Sequence, residues 1–299
     1  MRNVFSSTAR VDNGAAPATT LASNLTYHGG KVQATGSTSY AIYWEPPTLQ
    51  NGSPTSVPSS YINLLNRYFG DVGGSGLYNN NTQYYEVAGK KHSLVQNSIQ
   101  NVSNLGGSYV DTSAYPASDC SDPETPGNCL SDAAIQAEVI KAMTAKGWTG
   151  GTGKVFYVFL SNGEGTCAFG NCAFSWFCAY HSSFTVGGTT VIYSNMPYGA
   201  TPVSGYPGGV CTKLTQYPNG RAADIEISNT SHEQMESVTD FHLDAWYDSG
   251  GSEMADKCAY KYGALSLDGG KANQQWNNHY YVVQQEWSNA GSRCVQTYP

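Results

Sequence analysis

Two periods organise the apolar positions of the chain. Lys154 to Leu160 (KVFYVFL) is an almost continuous apolar run of strand length, which predicts a strand covered on both faces. Ser37 to Trp44 (STSYAIYW) reads as another strand, stopped by Glu45-Pro46-Pro47. Ala179 to Thr185 and Thr189 to Ser194 read as two strands joined by Val186-Gly187-Gly188, a hairpin signal. Elsewhere the spacing changes to three and four. Ser59 or Ser60 is placed to cap a helix with an apolar face of Ile62, Leu65, Tyr68 and Phe69, ended by the glycines of 70–76. Ser131 caps the clearest helix, Asp132 to Lys146, with a stripe of Ile135, Val139 and Met143, Ile140 beside it, and Gly147 as the stop. Ala222 to Thr239 reads as a third helix, because Ala222, Ile225, Asn229, His232, Glu236 and Thr239 recur at helical spacing. Tyr280 to Trp287 is expected to be a late strand, residues 197–220 a Pro/Gly loop, and Tyr78 to Tyr115 shows no clear period.

These elements predict an α+β fold, a mixed sheet packed on helices. No repeat or linker divides it, so residues 24–299 are expected to form a single domain behind a flexible tail of residues 1–23. No apolar run approaches the roughly 18–20 residues of a membrane helix, and no apolar signal region is expected at the start.

Composition narrows the class of partner. Lys and Arg number 15 against 22 Asp and Glu, a net charge of −7, which argues against nucleic acid and anionic membrane. Charged residues make up only 12%, and 33 Gly with 22 Tyr give an uncharged polar surface of the kind found on secreted proteins. Five Asn-x-Ser/Thr sequences, at Asn24, Asn51, Asn80, Asn101 and Asn229, permit glycosylation. The eight cysteines add to this picture. Their even number and tight spacing predict disulfides and an oxidising compartment, with Cys120–Cys129 as a local bridge across a loop. Cys167, Cys172 and Cys178 form a second cluster, for which a zinc knuckle is the competing reading.

The candidate chemistry lies on the third helix and just after it. From Asp224 to Asp256, 33 residues hold nine of the 22 acidic side chains and two of the six histidines. His232 and Glu236 stand four apart, on one helix face, and can grip one metal ion. Glu233 is turned away by about 100° and is the candidate general base on a metal-bound water. A third ligand must come from further along. Glu253, with Asp256 supporting it from behind, resembles the third-ligand helix of the gluzincin metallopeptidases. His242, ten residues after His232, is the alternative and matches the last histidine of the metzincin pattern, although Thr239 stands where that pattern has glycine. His181, on the predicted hairpin, is either a buried, hydrogen-bonded side chain or a contact to substrate. His28, His279 and Tyr280 have weaker claims, and His92 beside Lys90-Lys91 reads as solvated. No nucleophile elbow, phosphate loop or dinucleotide fingerprint occurs.

Several stretches resemble the EXORDIUM / phosphate-induced protein family in its microbial branch. They are Leu25-Thr26-Tyr27-His28-Gly29-Gly30, Ile42-Tyr43-Trp44, Val155 to Leu160, Phe177-Cys178-Ala179-Tyr180-His181-Ser182, Val238-Thr239-Asp240, and Gly251-Ser252-Glu253-Met254-Ala255-Asp256-Lys257-Cys258. The likeness covers roughly residues 25–298 and implies a secreted, single-domain protein. Plant members are extracellular and growth-associated; they lack the pair His232-Glu233. The order of elements is also similar to the zincin core, in which an edge strand lies above the metal and pairs with substrate backbone.

The expectation is therefore a secreted zinc metallopeptidase acting on a peptide or protein. His232, Glu236 and Glu253 would be the ligands, Glu233 the base and His181 a catalytic contact. Calcium at a separate acidic site is a second cofactor expectation. The alternatives are a non-catalytic protein associated with carbohydrate or cell wall, suited by 22 Tyr and 6 Trp, and a glycosidase using two carboxylates such as Glu233 and Asp244.

Overall fold

A computed structural model describes residues 23–88, 95–207, 209–211 and 216–298. Almost all of the expected tail, and His92, lie outside these residues. The described chain is α+β. Its centre is a five-stranded sheet of β1 (Ser37–Trp44), β2 (Ser103–Asp111), β3 (Lys154–Leu160), β4 (Tyr180–Val186) and β5 (Thr189–Met196), in the order β4-β5-β3-β1-β2. Four strands run parallel, and β4 alone is antiparallel at one edge. Gly187 and Gly188 make the β4–β5 turn with φ of 55° and 80°, which side chains with a Cβ rarely adopt.

Helices cover both faces. α1 (Ser59–Asp71) and α3 (Ala222–Thr239) lie on one, and α2 (Asp132–Lys146) on the other. Alternation along the strands divides the core between them. Ala41, Tyr43, Val155, Tyr157, Phe159 and Ile192 point to α1 and α3, whereas Ile42, Trp44, Phe156, Val158, Leu160 and Tyr193 point to α2. Since β1 and β3 are central, both of their faces are apolar, and this explains their unbroken hydrophobic runs.

α2 begins as expected: the Ser131 hydroxyl accepts from the Ala134 N–H, and Gly147 closes the helix in the left-handed conformation. Its buried stripe is Ile135, Glu138, Val139 and Ala142, while Ile140 is exposed. α1 starts after Pro58 and has no side-chain cap. The expected late strand is two short ones, His279–Tyr281 and Glu286–Ser288, each in its own hairpin. The segment without a clear period contains a 3-10 turn (Tyr78–Gln83), a pair of short strands and β2.

Four disulfides pair all eight cysteines: Cys120–Cys129, Cys167–Cys172, Cys178–Cys211 and Cys258–Cys294. The first is the local bridge expected. Cys167 and Cys178, read as one cluster, belong to different bridges, and the zinc-knuckle alternative has no free thiolate to use. Among the described residues, no helix is long and apolar enough to cross a membrane. Asn80 and Asn229 are buried, so two of the five glycosylation sequences are closed in the folded chain.

Candidate metal centre

α3 is an uncommon helix. It is 18 residues long, and every residue after Ala222 is buried, although most are polar. One flank faces β4, and another faces the segment that follows the helix. The alternation of β4 decides which residue meets it: Tyr180 points to α2, where its hydroxyl donates to Asp132, so His181 points the other way, to α3.

Two sets of side chains form there, and Glu236 belongs to both. His232 Nε2 lies 3.3 Å from Glu236 Oε1 and 3.5 Å from Asp256 Oδ1. His181 Nδ1 lies 3.3 Å from Glu233 Oε2 and 3.8 Å from Glu236 Oε2. The other ring nitrogen of His181 stands 3.8 Å from Glu253 Oε1 and 3.4 Å from the Asp240 carbonyl. Within each set the ligand atoms are all within 4.8 Å of one another. Glu236 Oε1 also accepts the Asp256 N–H at 3.0 Å, which ties the segment after the helix to the helix face. Asp240 Oδ1 accepts the N–H groups of Asp244 and Ala245 and so shapes the turn that carries the chain to residues 253–256.

The residues singled out in the sequence are thus distributed in a definite way. His232, Glu233, Glu236, Glu253 and His181 come together in one buried cluster, with Asp256 partly buried at its edge. Asp256, expected behind Glu253, faces His232 directly, whereas Glu253 stands beside the ring of His181. His242, the alternative third ligand, is exposed and meets the Ser183 hydroxyl at 2.7 Å, away from the cluster. Asp244 is exposed in the turn after the helix, so it does not share a buried cleft with Glu233. His28 stacks on Tyr247, and His279 binds Asp71 at 2.6 Å; neither joins the cluster. One member escaped the sequence altogether. Glu286, on a short strand near the end, is fully buried with both carboxylate oxygens unpartnered, and its charge acts on His232, Glu236 and Asp256. A lone Glu in an aromatic stretch carries no spacing signal.

The electrostatics describe a cluster short of positive charge. Burial raises the Glu236 carboxyl to about 7, with the charge of Asp256 adding to it. Burial raises Asp240 to about 7 and lifts Glu253 and Glu286 well above the carboxylate range. Burial alone would lower the two imidazoles. The hydrogen bond and charge of Glu233 nevertheless hold His181 above its ordinary value, and Glu236 with Asp256 holds His232 well above it. Among the described residues, no Lys or Arg lies within ion-pair distance of these carboxylates.

Hydrogen bonding accounts for only part of the arrangement. Both ring nitrogens of His232, and Glu233 Oε1, Glu236 Oε2 and Glu253 Oε1, are buried without a hydrogen-bond partner. Leaving such atoms unsatisfied costs about 1–3 kcal/mol each. Ligands held about 2.0–2.1 Å from one ion at tetrahedral angles stand about 3.3–3.4 Å apart. The contacts of 3.3 and 3.5 Å around His232 have this spacing without hydrogen-bond geometry. The residues therefore fit a divalent cation.

No known protein family matches the chain, and neither does any curated protein or solved structure.

Proposed function

We propose that the protein is a secreted, metal-dependent hydrolase that cleaves peptide bonds. The observation that carries this reading is that His232, Glu236 and Asp256 bring ligand atoms within 4.8 Å of one another, beside a second pair made by Glu233 with His181 of the facing edge strand. A mixed nitrogen and carboxylate set at this spacing suits zinc. When bound, such a cation lowers the pKa of its water and polarises the carbonyl under attack.

The protein's own groups divide the remaining work. Glu233 keeps Oε1 unpartnered and takes the proton of the attacking water, later passing it to the leaving amine. His181 holds the other oxygen of Glu233, while Glu253 and the Asp240 carbonyl fix the ring from behind. β4 stands at the edge of the sheet, a position from which an extended peptide can be bound by strand addition. The four disulfides and the resemblance to the extracellular EXORDIUM family support secretion.

The test is Glu233→Gln, assayed on a mixture of fluorogenic peptides after zinc loading. The variant should keep its fold by circular dichroism and lose activity about 10²–10⁴-fold. Equal activity in variant and wild type would remove Glu233 from the role of base. No zinc-dependent cleavage by the wild type of any peptide in the mixture would favour a second reading, in which the cation is structural and the protein binds carbohydrate. Burial of the ligands favours that reading, as do Phe169 and Trp176, both more than half exposed beside the Cys167–Cys172 bridge.

A further inference from the structure

We infer that the buried cluster is built for two divalent cations bridged by the carboxylate of Glu236. The inference rests on the metal-dependent reading for its first cation and adds a second.

The two oxygens of Glu236 serve different histidines. Oε1 faces His232 Nε2 at 3.3 Å, and Oε2 faces His181 Nδ1 at 3.8 Å. Each histidine then has a further carboxylate of its own, Asp256 for His232 and Glu233 for His181. Among the described residues, the groups able to hold a metal on this side of the sheet are these two triads, with Glu236 common to both and no triad containing both histidines. A single ion serves one triad and leaves the other as it is. A carboxylate shared by two cations about 3.5–4 Å apart is the arrangement of two-metal hydrolases.

Three further observations agree. First, Glu236 Oε2 is buried without a hydrogen bond, so its desolvation is unanswered when only the His232 side is filled. Second, His181 has the surroundings of a histidine that binds through Nδ1. Its Nε2 faces the Asp240 carbonyl and the Glu253 carboxylate, the usual acceptors for the second ring nitrogen of a metal-binding imidazole. Third, the donor set is larger than one four-coordinate cation uses: Glu233, Glu236, Glu253 and Asp256 stand around His181 and His232, within 4 Å of one or the other ring.

The second cation changes the part played by Glu233. Its Oε2 becomes a ligand in place of its contact with His181 Nδ1. Oε1 stays unpartnered and free to act as the base.

The experiment is zinc stoichiometry by mass spectrometry on the full chain after equilibration with zinc and gel filtration. Manganese-loaded protein is examined in parallel by electron paramagnetic resonance. The wild type should carry two zinc ions per chain. His181→Ala and His232→Ala should each carry one, and Glu236→Ala fewer than one. Because a bridge couples the two ions, the manganese form should show an exchange-coupled spectrum in place of the six-line signal of isolated ions. This reading does not depend on the variants folding. One zinc per chain, with isolated manganese signals, would overturn the pair and leave the single-cation hydrolase standing. No bound metal would overturn both. Two ions without coupling, or two ions retained in His181→Ala, would overturn the bridge.

Discussion

α2 and α3 lie on opposite faces of the same sheet, and they solve the problem of helix burial in opposite ways. α2 buries four of its 15 residues, three of them apolar, and leaves the rest half-buried or exposed. α3 buries 17 of 18, most of them polar. The apolar stripe of α2 gains free energy as its area leaves water. For α3 the same burial removes hydration from carboxylates, hydroxyls and amides, and each group needs a new partner.

Within α3 the partners come in two forms. Gln234 accepts from the Tyr68 hydroxyl at 2.7 Å and donates to the hydroxyls of Ser39 and Ser103, so α1 and the sheet together satisfy it. Its neighbours His232, Glu233 and Glu236 keep unpartnered atoms that the fold does not satisfy. A polar residue that finds protein partners is structural. The atoms left unpartnered in this row are the ones that the proposed cations would satisfy.

This contrast can be tested by disturbing each helix. The largest expected effect lies on the apolar side. Ile135→Ala, at a fully buried position of α2, should lower stability by about 3 kcal/mol in urea denaturation and leave metal content unchanged. A loss below about 1 kcal/mol would mean that α2 is not anchored by its stripe. Chelation should act only through α3. If zinc is present at about a hundred times its dissociation constant, EDTA should lower Tm by about 5–10 °C, and zinc should restore it. A Tm indifferent to EDTA would show that the carboxylates around α3 are stable without a cation.

The smallest effect concerns the one buried carboxylate of α2. Burial and the charge of Asp111 push Glu138 up to about 8, although Lys141 lies 3.7 Å away. An unfolded Glu titrates near 4.3, so between these values the folded chain holds a proton that the unfolded chain has released. Stability contributed by this group is therefore present below about 4.3 and lost as pH rises toward about 8. Glu138→Gln should flatten the decline of Tm with pH across that window. An unchanged slope would place its origin elsewhere.

Much of the fold was legible because it depends on near neighbours. The Ser131 cap, the Gly147 stop and the Gly187-Gly188 turn each act within a few residues, and all three stand where the sequence places them. The same holds for Ala222–Thr239, whose bounds match the periodic pattern. β2 was not legible. Gly106 and Gly107 interrupt its hydrophobic alternation, and it is a strand because it pairs along its length with β1. Gly106 is kept small by Tyr40 and Thr38, since a Cβ there would meet their side chains at 2.5–2.7 Å.

The candidate site divides along the same line. His232, Glu233 and Glu236 share one helix, so the 3.6-residue period already grouped them. That His181 faces Glu233 across 52 residues depends on which face of β4 turns toward α3. That Asp256 meets His232 while Glu253 stands behind His181 depends on how the chain turns after Asp240. Helix spacing is a local property, set by backbone hydrogen bonds four residues apart. The meeting of a strand, a helix and a later turn at one buried point is decided by how the apolar faces of the sheet and helices close on each other, and only the folded structure contains that information.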